Sequence, residues 1–419
     1  MPGRNKTGAA DPGASGADIR WGSMAAALER RPESQRPVLI YLVTEDWYFW
    51  SHRLPVARAA RDGGFDVVVA ARVRDHGERI RGEGFRLCAL PWRRRGDGLS
   101  GSLRALGAIA ALYRREQPAI VHHVALKPVL FGAAALRLAF PLARRRPATI
   151  AAITGLGSGL SATSAAGRIV RPALGRALRG AARLGRVIVQ NPEDGAALAG
   201  FGIGSANLVL IRGSGVDTRH FAPLPEPPPG PNVVVALVSR MLRSKGVLDA
   251  AAAVRRLRAA GVGIELLLAG PTDPDNRDSL DERALAALAA EPGVSWLGHI
   301  DDVREVWRRA AIAVLPSTYG EGVPKALLEA AACARPIVAS DTPGCREAVR
   351  PGTTGLLVPP GDIEGLAAAL AALAADPARR VSMGEAGRAL IEREFAEEGV
   401  ARATLALYEA VLRERAGGG

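Results

Sequence analysis

Two glutamates, Glu321 and Glu329, stand where an apolar run gives way to a helical pattern. The apolar run predicts a buried parallel strand, and Pro324 suits the first turn of a helix. Gly322 and Val323 would then present backbone N–H groups at a helix N-terminus, where unpaired donors and the helix dipole bind an anion such as a diphosphate. Glu321 would meet neutral sugar hydroxyls, and Glu329 would accept hydrogen bonds from a ribose. The alternative is a charged helix start, in which Glu321 only stabilises the helix dipole.

Two basic side chains, Arg240 and Lys245, follow the first strand predicted in the second half of the chain. A guanidinium and an ammonium can bind a diphosphate through charge-assisted hydrogen bonds of about 1.5–3 kcal/mol each. They would neutralise the charge that develops on a leaving phosphate without a metal ion. The alternative is a solvated basic helix start.

The length of 419 residues predicts two domains, and a hydrophobic content of 48% supports packed cores. The net charge of +13 suits nucleic acid, anionic lipid or phosphorylated substrates. An aromatic content of 5%, without a recognition module, makes nucleic acid the weakest of these partners. Three widely spaced cysteines indicate a reducing cytosol.

The N-terminal segment, residues 1–35, is rich in Gly, Ala, Pro and charge and lacks the apolar core of a signal peptide. We expect it to be disordered, and either Met1 or Met24 could be the true start. The most apolar later run, Val129 to Ala143, is too short to span a bilayer.

Alternating strand and helix patterns predict two doubly wound parallel sheets, each of Rossmann type. The first domain covers residues 36–222, and a proline-rich linker follows at 223–231. The second domain covers 232–398, and residues 399–419 form an amphipathic helix. Two such sheets would face one cleft, with ligands at the carboxyl ends of the strands.

An ordered series of short motifs runs from Val294 to Asp362. It includes Trp296-Leu297-Gly298-His299, the Glu321/Glu329 helix, Pro336-Ile337-Val338-Ala339-Ser340 and Gly355-Leu356-Leu357-Val358-Pro359. The series resembles the C-terminal domain of glycosyltransferase family 4, whose members are retaining enzymes of GT-B architecture. Ala334 departs from the family, which usually carries glycine there, and this predicts a slightly different turn.

The resemblance implies a chemistry and further site residues. Catalysis would involve Glu321, Arg240, Lys245 and His122, with the leaving phosphate taking the acceptor's proton. Gly298 and His299 would lie near the nucleotide base, and the last helix would cross back to the first domain. No cofactor or metal is implied.

The opening segment Thr44 to Arg53, with its acids and aromatics, together with His123 to Pro128 and Gly155-Leu156-Gly157, resembles a narrower branch, the enzymes like bacillosaminyl-diphospho-undecaprenol N-acetylgalactosaminyltransferase. This branch implies a UDP-linked hexose or N-acetylhexosamine as donor and a polyprenyl-diphosphate-linked sugar as acceptor. The residues predicted to bind the acceptor or the transferred sugar are Glu45, Asp46, His123, Lys127, Gly155 and Gly157. Strand alternation would point His122 and His123 to opposite faces, so that one of them reaches substrate.

A lipid-linked acceptor requires a docking face. A basic amphipathic stretch carries Arg168, Arg171, Arg176, Arg179, Arg183 and Arg186 within one helical arc. It predicts a peripheral enzyme on the cytoplasmic face of the plasma membrane. The alternative is a solvated arginine face on a helix that packs against the sheet.

Other interpretations are less favoured by the residues. Asp273-Pro274-Asp275 has the D-x-D form of a metal motif, but the phosphates already have basic partners. A UDP-sugar 2-epimerase would share the two-sheet cleft, and the glutamate pair argues against it. A catalytically silent binding module would not need Arg240, Lys245, Glu321 and Glu329 together.

Overall fold

The computed structural model describes residues 32, 35–92, 98–142, 144, 146–155, 165–319 and 322–417, and in 165–171 and at 417 it describes the backbone alone. The predicted disorder of residues 1–35 therefore falls almost entirely outside the described residues. So do Glu321 and Gly157.

The N-terminal domain contains a parallel sheet of seven strands in the order β3-β2-β1-β4-β5-β6-β7. The strands are β1 (Val38–Glu45), β2 (Asp66–Arg72), β3 (Arg86–Ala89), β4 (Ile120–Val124), β5 (Ala148–Ile153), β6 (Gly185–Val189) and β7 (Leu208–Leu210). The helices are α1 (Asp46–His52), α2 (Leu54–Asp62), α3 (Gly77–Gly82), α4 (Gly98–Glu116), α5 (Leu126–Ala139), α6 (Ala165–Ala182) and α7 (Pro192–Gly200). The central strands are apolar along their whole length because helices cover both faces of the sheet.

The C-terminal domain repeats this arrangement with six parallel strands in the order β10-β9-β8-β11-β12-β13. The strands are β8 (Val233–Val238), β9 (Ile264–Ala269), β10 (Val294–Trp296), β11 (Ile312–Leu315), β12 (Ile337–Ser340) and β13 (Gly355–Val358). The helices are α8 (Val247–Ala259), α9 (Glu282–Ala289), α10 (Arg304–Arg309), α11 (Lys325–Ala332), α12 (Pro343–Ala348), α13 (Ile363–Ala374), α14 (Pro377–Glu394) and α15 (Glu397–Gly417). In both sheets the strand order reverses beside the first strand, which is where such folds bind ligands.

The connections between the domains are well anchored. Residues 223–231 have no regular structure, but Arg335 donates to the carbonyl of Pro225 and Arg380 pairs with Glu226, so this segment packs on the C-terminal domain. Helix α15 returns to the first sheet, where the hydroxyl of Tyr408 lies 2.7 Å from that of Tyr41. The C-terminal helix therefore helps to build the core beneath the cleft.

One turn has an unusual backbone conformation for a residue with a side chain. Ala334 follows the C-terminus of α11 with φ of 57°, in the left-handed region that disfavours a side chain. The Cβ of Ala334 makes this turn strained, and the chain nevertheless retains the left-handed conformation.

Candidate functional site

A cleft of about 900 Å³ lies between the carboxyl ends of the two sheets. The N-terminal domain contributes the segments after β1, β4, β5 and β6, and the C-terminal domain contributes those after β8 and β11. Polar and aromatic side chains from both domains line the walls of the cleft. Among the lining residues are Thr44, Glu45, Lys127, Gly155, Gln190, Arg240, Lys245, Gly322, Val323 and Glu329.

Arg240 and Lys245 line the cleft, in line with their predicted place at a strand end. The Arg240 guanidinium pairs with Asp273 and lies 5.5 Å from the ring centre of Trp47, in the other domain. Lys245 lies in a short 3-10 turn that ends at Gly246, whose φ is 73°. A side chain at Gly246 would collide with the carbonyl of Pro316, so glycine allows this turn to pack beneath the cleft.

The start of α11 faces the N-terminal domain. The backbone N–H of Val323 donates to Oε1 of Gln190 at 3.3 Å, which shows that this amide points across the cleft. Glu329 lies one turn into α11, with Oε1 3.8 Å from Nζ of Lys325. Burial raises the pKa of the Glu329 carboxyl, and the nearby ammonium of Lys325 opposes this shift. Gly322 also lines the cleft, so that with Arg240 and Lys245 five predicted donor-binding residues line it.

Gly298 and His299 do not line the cleft. Gly298 lies two residues after β10, with φ of 67°, and the His299 side chain is 67% exposed, with Nε2 3.3 Å from Asp301. The cleft wall next to them is formed by Asp301, Asp302 and Val303. The structure therefore places the predicted base-binding turn beside the cleft rather than in it.

Neither predicted histidine reaches the cleft, and the expectation that one of them would do so is wrong. His122 Nδ1 lies 2.7 Å from the hydroxyl of Tyr408 on α15, and His123 Nε2 lies 2.9 Å from that of Tyr113 on α4. The predicted alternation is present, but both faces of β4 are covered by helices, so both rings are buried. Burial lowers the pKa of His122 well below its usual range and that of His123 to about 3.

The two acids after β1 have different surroundings. Glu45 lines the cleft and pairs with Arg72 at 3.5 Å and Arg74 at 3.9 Å. Asp46 does not line it. Its carboxylate accepts backbone N–H groups from Trp47, Arg74 and His76, at 2.8, 2.7 and 3.0 Å. Asp46 therefore fixes the loop after β2 to the start of α1, which is a structural role in place of the predicted contact with the acceptor.

Lys127 and Gly155 line the cleft at the ends of β4 and β5. The Lys127 ammonium lies 5.3 Å from the ring centre of Trp92 and 5.6 Å from that of Phe131. Ala125, between β4 and α5, has φ of 74°. Such a conformation costs on the order of 1–3 kcal/mol for a non-glycine residue and is often found at functional sites.

Among the cleft-lining residues that the sequence did not predict, four carry aromatic or charged side chains at the contact between the domains: Trp47, Tyr48, His52 and Lys325. Lys325 begins α11, and its ammonium donates to the carbonyl of Ser51 at 2.5 Å, so it joins the two domains. Three of the four lie on α1. The i and i+4 spacing of Tyr48 and His52 was the available signal, because a short helix presents such a pair on one face.

Both aspartates of the D-x-D sequence form ion pairs with arginines. Asp273 pairs with Arg240, while Asp275 pairs with Arg74 and lies 3.2 Å from Arg72 of the other domain. These ion pairs hold the pKa of the Asp275 carboxyl below its usual range. Among the residues that the structure describes, no group of three or more His, Cys, Asp or Glu side chains is arranged to hold a metal ion.

Only part of the predicted basic helix is present, because α6 ends at Ala182; Arg183 follows the helix and Arg186 lies on β6. The side chains of Arg168 and Arg171 lie outside the described residues. Arg176 and Arg183 are exposed and Arg179 is half-buried. Arg186 does not contribute to an open basic face, because it pairs with Glu414 of α15. Within the described ranges, no helix is both long and apolar enough to cross a bilayer.

Both halves of the chain match known families. Residues 39–191 match the family described as Glycosyl transferase 4-like, and residues 232–376 match Glycosyl transferases group 1. Glycogen synthase of Mycobacterium tuberculosis is 35% identical over 215 residues, which cover 51% of this chain and 51% of that protein. The capsular polysaccharide biosynthesis glycosyltransferase CapM of Staphylococcus aureus is 24% identical over 232 residues, which cover 55% of this chain and 60% of CapM. The chain thus spans about half the length of the curated relatives that it matches.

Solved structures show the same two-domain architecture. Sucrose-phosphate synthase from Thermosynechococcus elongatus matches with a TM-score of 0.76 and 22% identity, over 90% of this chain and 100% of that chain. HepE from Anabaena, crystallised in complex with UDP-glucose, matches with a TM-score of 0.70 and 17% identity, over 88% of this chain and 98% of HepE. The predicted GT-B fold is therefore confirmed. With a glycosyltransferase family matching each of its two sheets, the chain belongs to the family-4 type of GT-B glycosyltransferases.

Proposed function

We propose that the protein transfers a hexose or N-acetylhexosamine from a UDP-sugar to a sugar linked to a polyprenyl diphosphate, with retention of configuration. The observation that carries the transferase proposal is the convergence of Arg240, Lys245 and the start of α11 in one cleft with the strand ends of the N-terminal domain. Two cations and backbone donors on one domain suit a diphosphate. The other domain is left for the acceptor.

Arg240 and Lys245 would stabilise the diphosphate as it leaves. Each charge-assisted hydrogen bond contributes about 1.5–3 kcal/mol, and its effect on rate depends on how much it strengthens in the transition state. Asp273 keeps the Arg240 guanidinium oriented toward the cleft. The acceptor hydroxyl would pass its proton to the leaving phosphate oxygen, so the buried histidines of β4 need take no part.

The choice of a UDP-sugar and a lipid-linked acceptor rests on the resemblance of residues 44–53, 123–128 and 155–157 to the bacillosaminyl branch. The complex of HepE with UDP-glucose and the name of CapM, a capsular polysaccharide enzyme, agree with a nucleotide sugar and with surface glycan synthesis. Exposed Arg176 and Arg183 would hold the enzyme at the anionic cytoplasmic surface of the membrane, at roughly 1 kcal/mol for each basic residue.

The test is the release of nucleotide from a panel of UDP-, GDP- and ADP-sugars, with and without membrane extract that carries polyprenyl-diphosphate sugars. Acceptor-dependent release of UDP from one donor would support the proposal and identify the sugar. Release only with another nucleotide would overturn the choice of UDP, and isomerisation of a UDP-sugar without acceptor would identify an epimerase. A Lys245→Ala variant should release UDP 10-fold or more slowly, whereas Arg243→Ala, in the same turn but outside the cleft lining, should keep the wild-type rate.

A further inference from the structure

Lys325 lies at the contact between the two domains. It is the first residue of α11, and its ammonium donates to the carbonyl of Ser51 at 2.5 Å. Ser51 belongs to the last turn of α1, where the final carbonyl groups have no partner within the helix and form the negative end of its dipole. A cation is favoured at such a helix end. The contact therefore fixes the start of α11 to the N-terminal domain.

The same ammonium lies beside a carboxylate of the cleft. Glu329, one turn further along α11, lines the cleft, and its Oε1 is 3.8 Å from Nζ of Lys325. This separation is too long for a good hydrogen bond, but at this distance the two charges still attract each other. No donor among the described residues is hydrogen-bonded to the Glu329 carboxylate. Because Ser51 holds the ammonium, the oxygens of Glu329 are left open to the hydroxyls of a ligand.

The charge of Glu329 depends on Lys325. Burial raises the pKa of the Glu329 carboxyl, and among the described residues Lys325 is the one charge that lowers it. Cys333, one turn further along α11, stays neutral because burial raises the pKa of its thiol to about 12. Burial also raises the pKa of Glu397, at the start of α15, which is a second carboxyl on which the Lys325 charge acts. An ionised carboxylate accepts hydrogen bonds at both oxygens, which a protonated acid does not.

We propose that Lys325 is a positioning residue that couples closure of the two domains to binding of the donor by Glu329. In the closed arrangement Ser51 holds the ammonium near enough to favour the carboxylate but too far away to occupy its oxygens. When the domains separate, the ammonium loses Ser51 and moves onto Glu329, its i, i+4 neighbour, where it competes with the ligand. This inference rests on the proposed function, in which Glu329 accepts hydrogen bonds from the ribose of a UDP-sugar.

The experiment measures the binding of UDP-glucose to the intact chain by titration calorimetry from pH 5 to pH 8. The diphosphate of UDP-glucose does not titrate in this range, so a change in affinity with pH reports on the protein. Lys325→Arg keeps the charge and a donor for the Ser51 carbonyl, whereas Lys325→Met removes both. Glu329→Gln keeps the shape of the side chain but cannot titrate.

The wild type should lose affinity as pH falls, because Glu329 binds hydroxyls best as a carboxylate. Without the ammonium the pKa of Glu329 rises, so Lys325→Met should lose affinity at a higher pH than the wild type. At pH 8 this variant should also bind about 10-fold more weakly, because the hydrogen bond to Ser51 is gone. Lys325→Arg should behave like the wild type. In a Glu329→Gln background the loss at low pH should be absent, with or without Lys325→Met.

A separate variant tests the coupling to closure. The Cβ of Gly322→Ala would collide with Oε1 of Gln190 in the N-terminal domain, which opposes closure. The ammonium of Lys325 should then contact Glu329 directly and lower the pKa of this carboxyl further. We therefore expect weaker binding at pH 8, together with a loss of affinity that begins at a lower pH than in the wild type. This shift is opposite in direction to that of Lys325→Met.

Two control variants should keep the pH dependence of the wild type. Arg308→Gln, exposed on α10, removes one positive charge from the same domain. Glu397→Gln removes the second carboxyl on which the Lys325 charge acts. Together they separate the titration of Glu329 from net charge and from the other carboxyl.

Equal weakening by Lys325→Met at every pH would overturn the inference, because Lys325 would then serve only the fold. A loss at low pH that persists in Glu329→Gln would overturn it too, since another group would be titrating. If Gly322→Ala loses affinity at the wild-type pH or above, the coupling to closure is wrong. If the wild type binds neither UDP-glucose nor UDP at any pH, the choice of a UDP-sugar in the proposed function fails instead.

Discussion

Replacing Gly322 with alanine tests whether the two domains close on each other in the way that the structure shows. A Cβ at this position would collide with Oε1 of Gln190 and would lie 2.6 Å from the carbonyl oxygen of Thr154. Both neighbours belong to the N-terminal domain. The φ of Gly322 is outside the left-handed region, so alanine is compatible with the local backbone. Strain in the local backbone is therefore excluded, and we expect the main effect to come from the contact between the domains.

The size of the loss of activity depends on which of the two neighbouring groups can move away from the added methyl group. The Gln190 side chain can rotate away, but the Thr154 oxygen is backbone and would have to retreat by roughly 1 Å to reach ordinary contact. Overpacking of this kind costs about 1–3 kcal/mol. If the closed cleft is the active form, kcat/KM for the donor should fall about 5- to 150-fold, because 1.4 kcal/mol corresponds to a factor of ten.

The assay is UDP release at low donor concentration, together with the thermal unfolding midpoint. We expect a loss of activity with a nearly unchanged midpoint, since neither core is disturbed. Gln190→Ala added to Gly322→Ala should restore only part of the activity, because the Thr154 carbonyl remains. Gly107→Ala, on α4 with no atom near the added methyl group, is the control for the substitution itself. Full activity of Gly322→Ala would refute the closed arrangement.

Lys245→Ala should lower turnover 10-fold or more, as loss of one transition-state donor does elsewhere, measured by UDP release. Tyr408→Phe should lower the free energy of unfolding by about 1–3 kcal/mol, measured by denaturant titration, because it leaves two buried polar groups without their partner. His123, with a pKa of about 3 when folded, should cost stability as pH falls below about 6.5, because the unfolded chain then takes up a proton that the folded one does not. Arg176→Glu with Arg183→Glu should release the protein from anionic liposomes in co-sedimentation.

Two of these predictions have a matched control variant. Arg243→Ala controls for charge near Lys245, and Arg308→Glu with Arg309→Glu, exposed on α10, controls for net charge in the liposome assay. Equal release of both double variants would show that total charge, not α6, holds the protein. A Tyr408→Phe variant of unchanged stability would contradict the buried hydrogen bonds between α15 and the first sheet. Stability that is flat from pH 7 to pH 5 would contradict a neutral, buried His123.

Much of the fold could be predicted because its signals are local. Buried parallel strands are continuous apolar runs, so β1, β2, β8 and β11 are visible without a partner. The edge strand β7 escaped prediction because it is only three residues long and half-exposed, which leaves no apolar run to recognise. Helix α15 has a clear amphipathic pattern and was predicted at 399–419; in the structure it begins slightly earlier, at Glu397.

The site was partly predictable for a related reason. In parallel sheets the carboxyl ends of the strands share one edge, so residues that follow strands, such as Arg240, Lys127 and Gly155, gather there. Residues inside a strand do not follow this rule. His122 and His123 lie within β4, and their burial depends on the helices that cover each face of the sheet. The alternation of side chains along the strand does not specify those helices.

The sequence by itself determined two parallel sheets, the strand ends that meet at a cleft, and the cations that face it, because each of these features depends on a local pattern within a short stretch of chain. Only the tertiary structure decided which carboxylates form ion pairs with the arginines, and that the Lys325 ammonium donates to the carbonyl of Ser51. It also decided that Trp47, Tyr48 and His52 of α1 line the cleft. These contacts join residues distant in sequence. Their partners are chosen by how the two domains pack, and no local pattern carries that information.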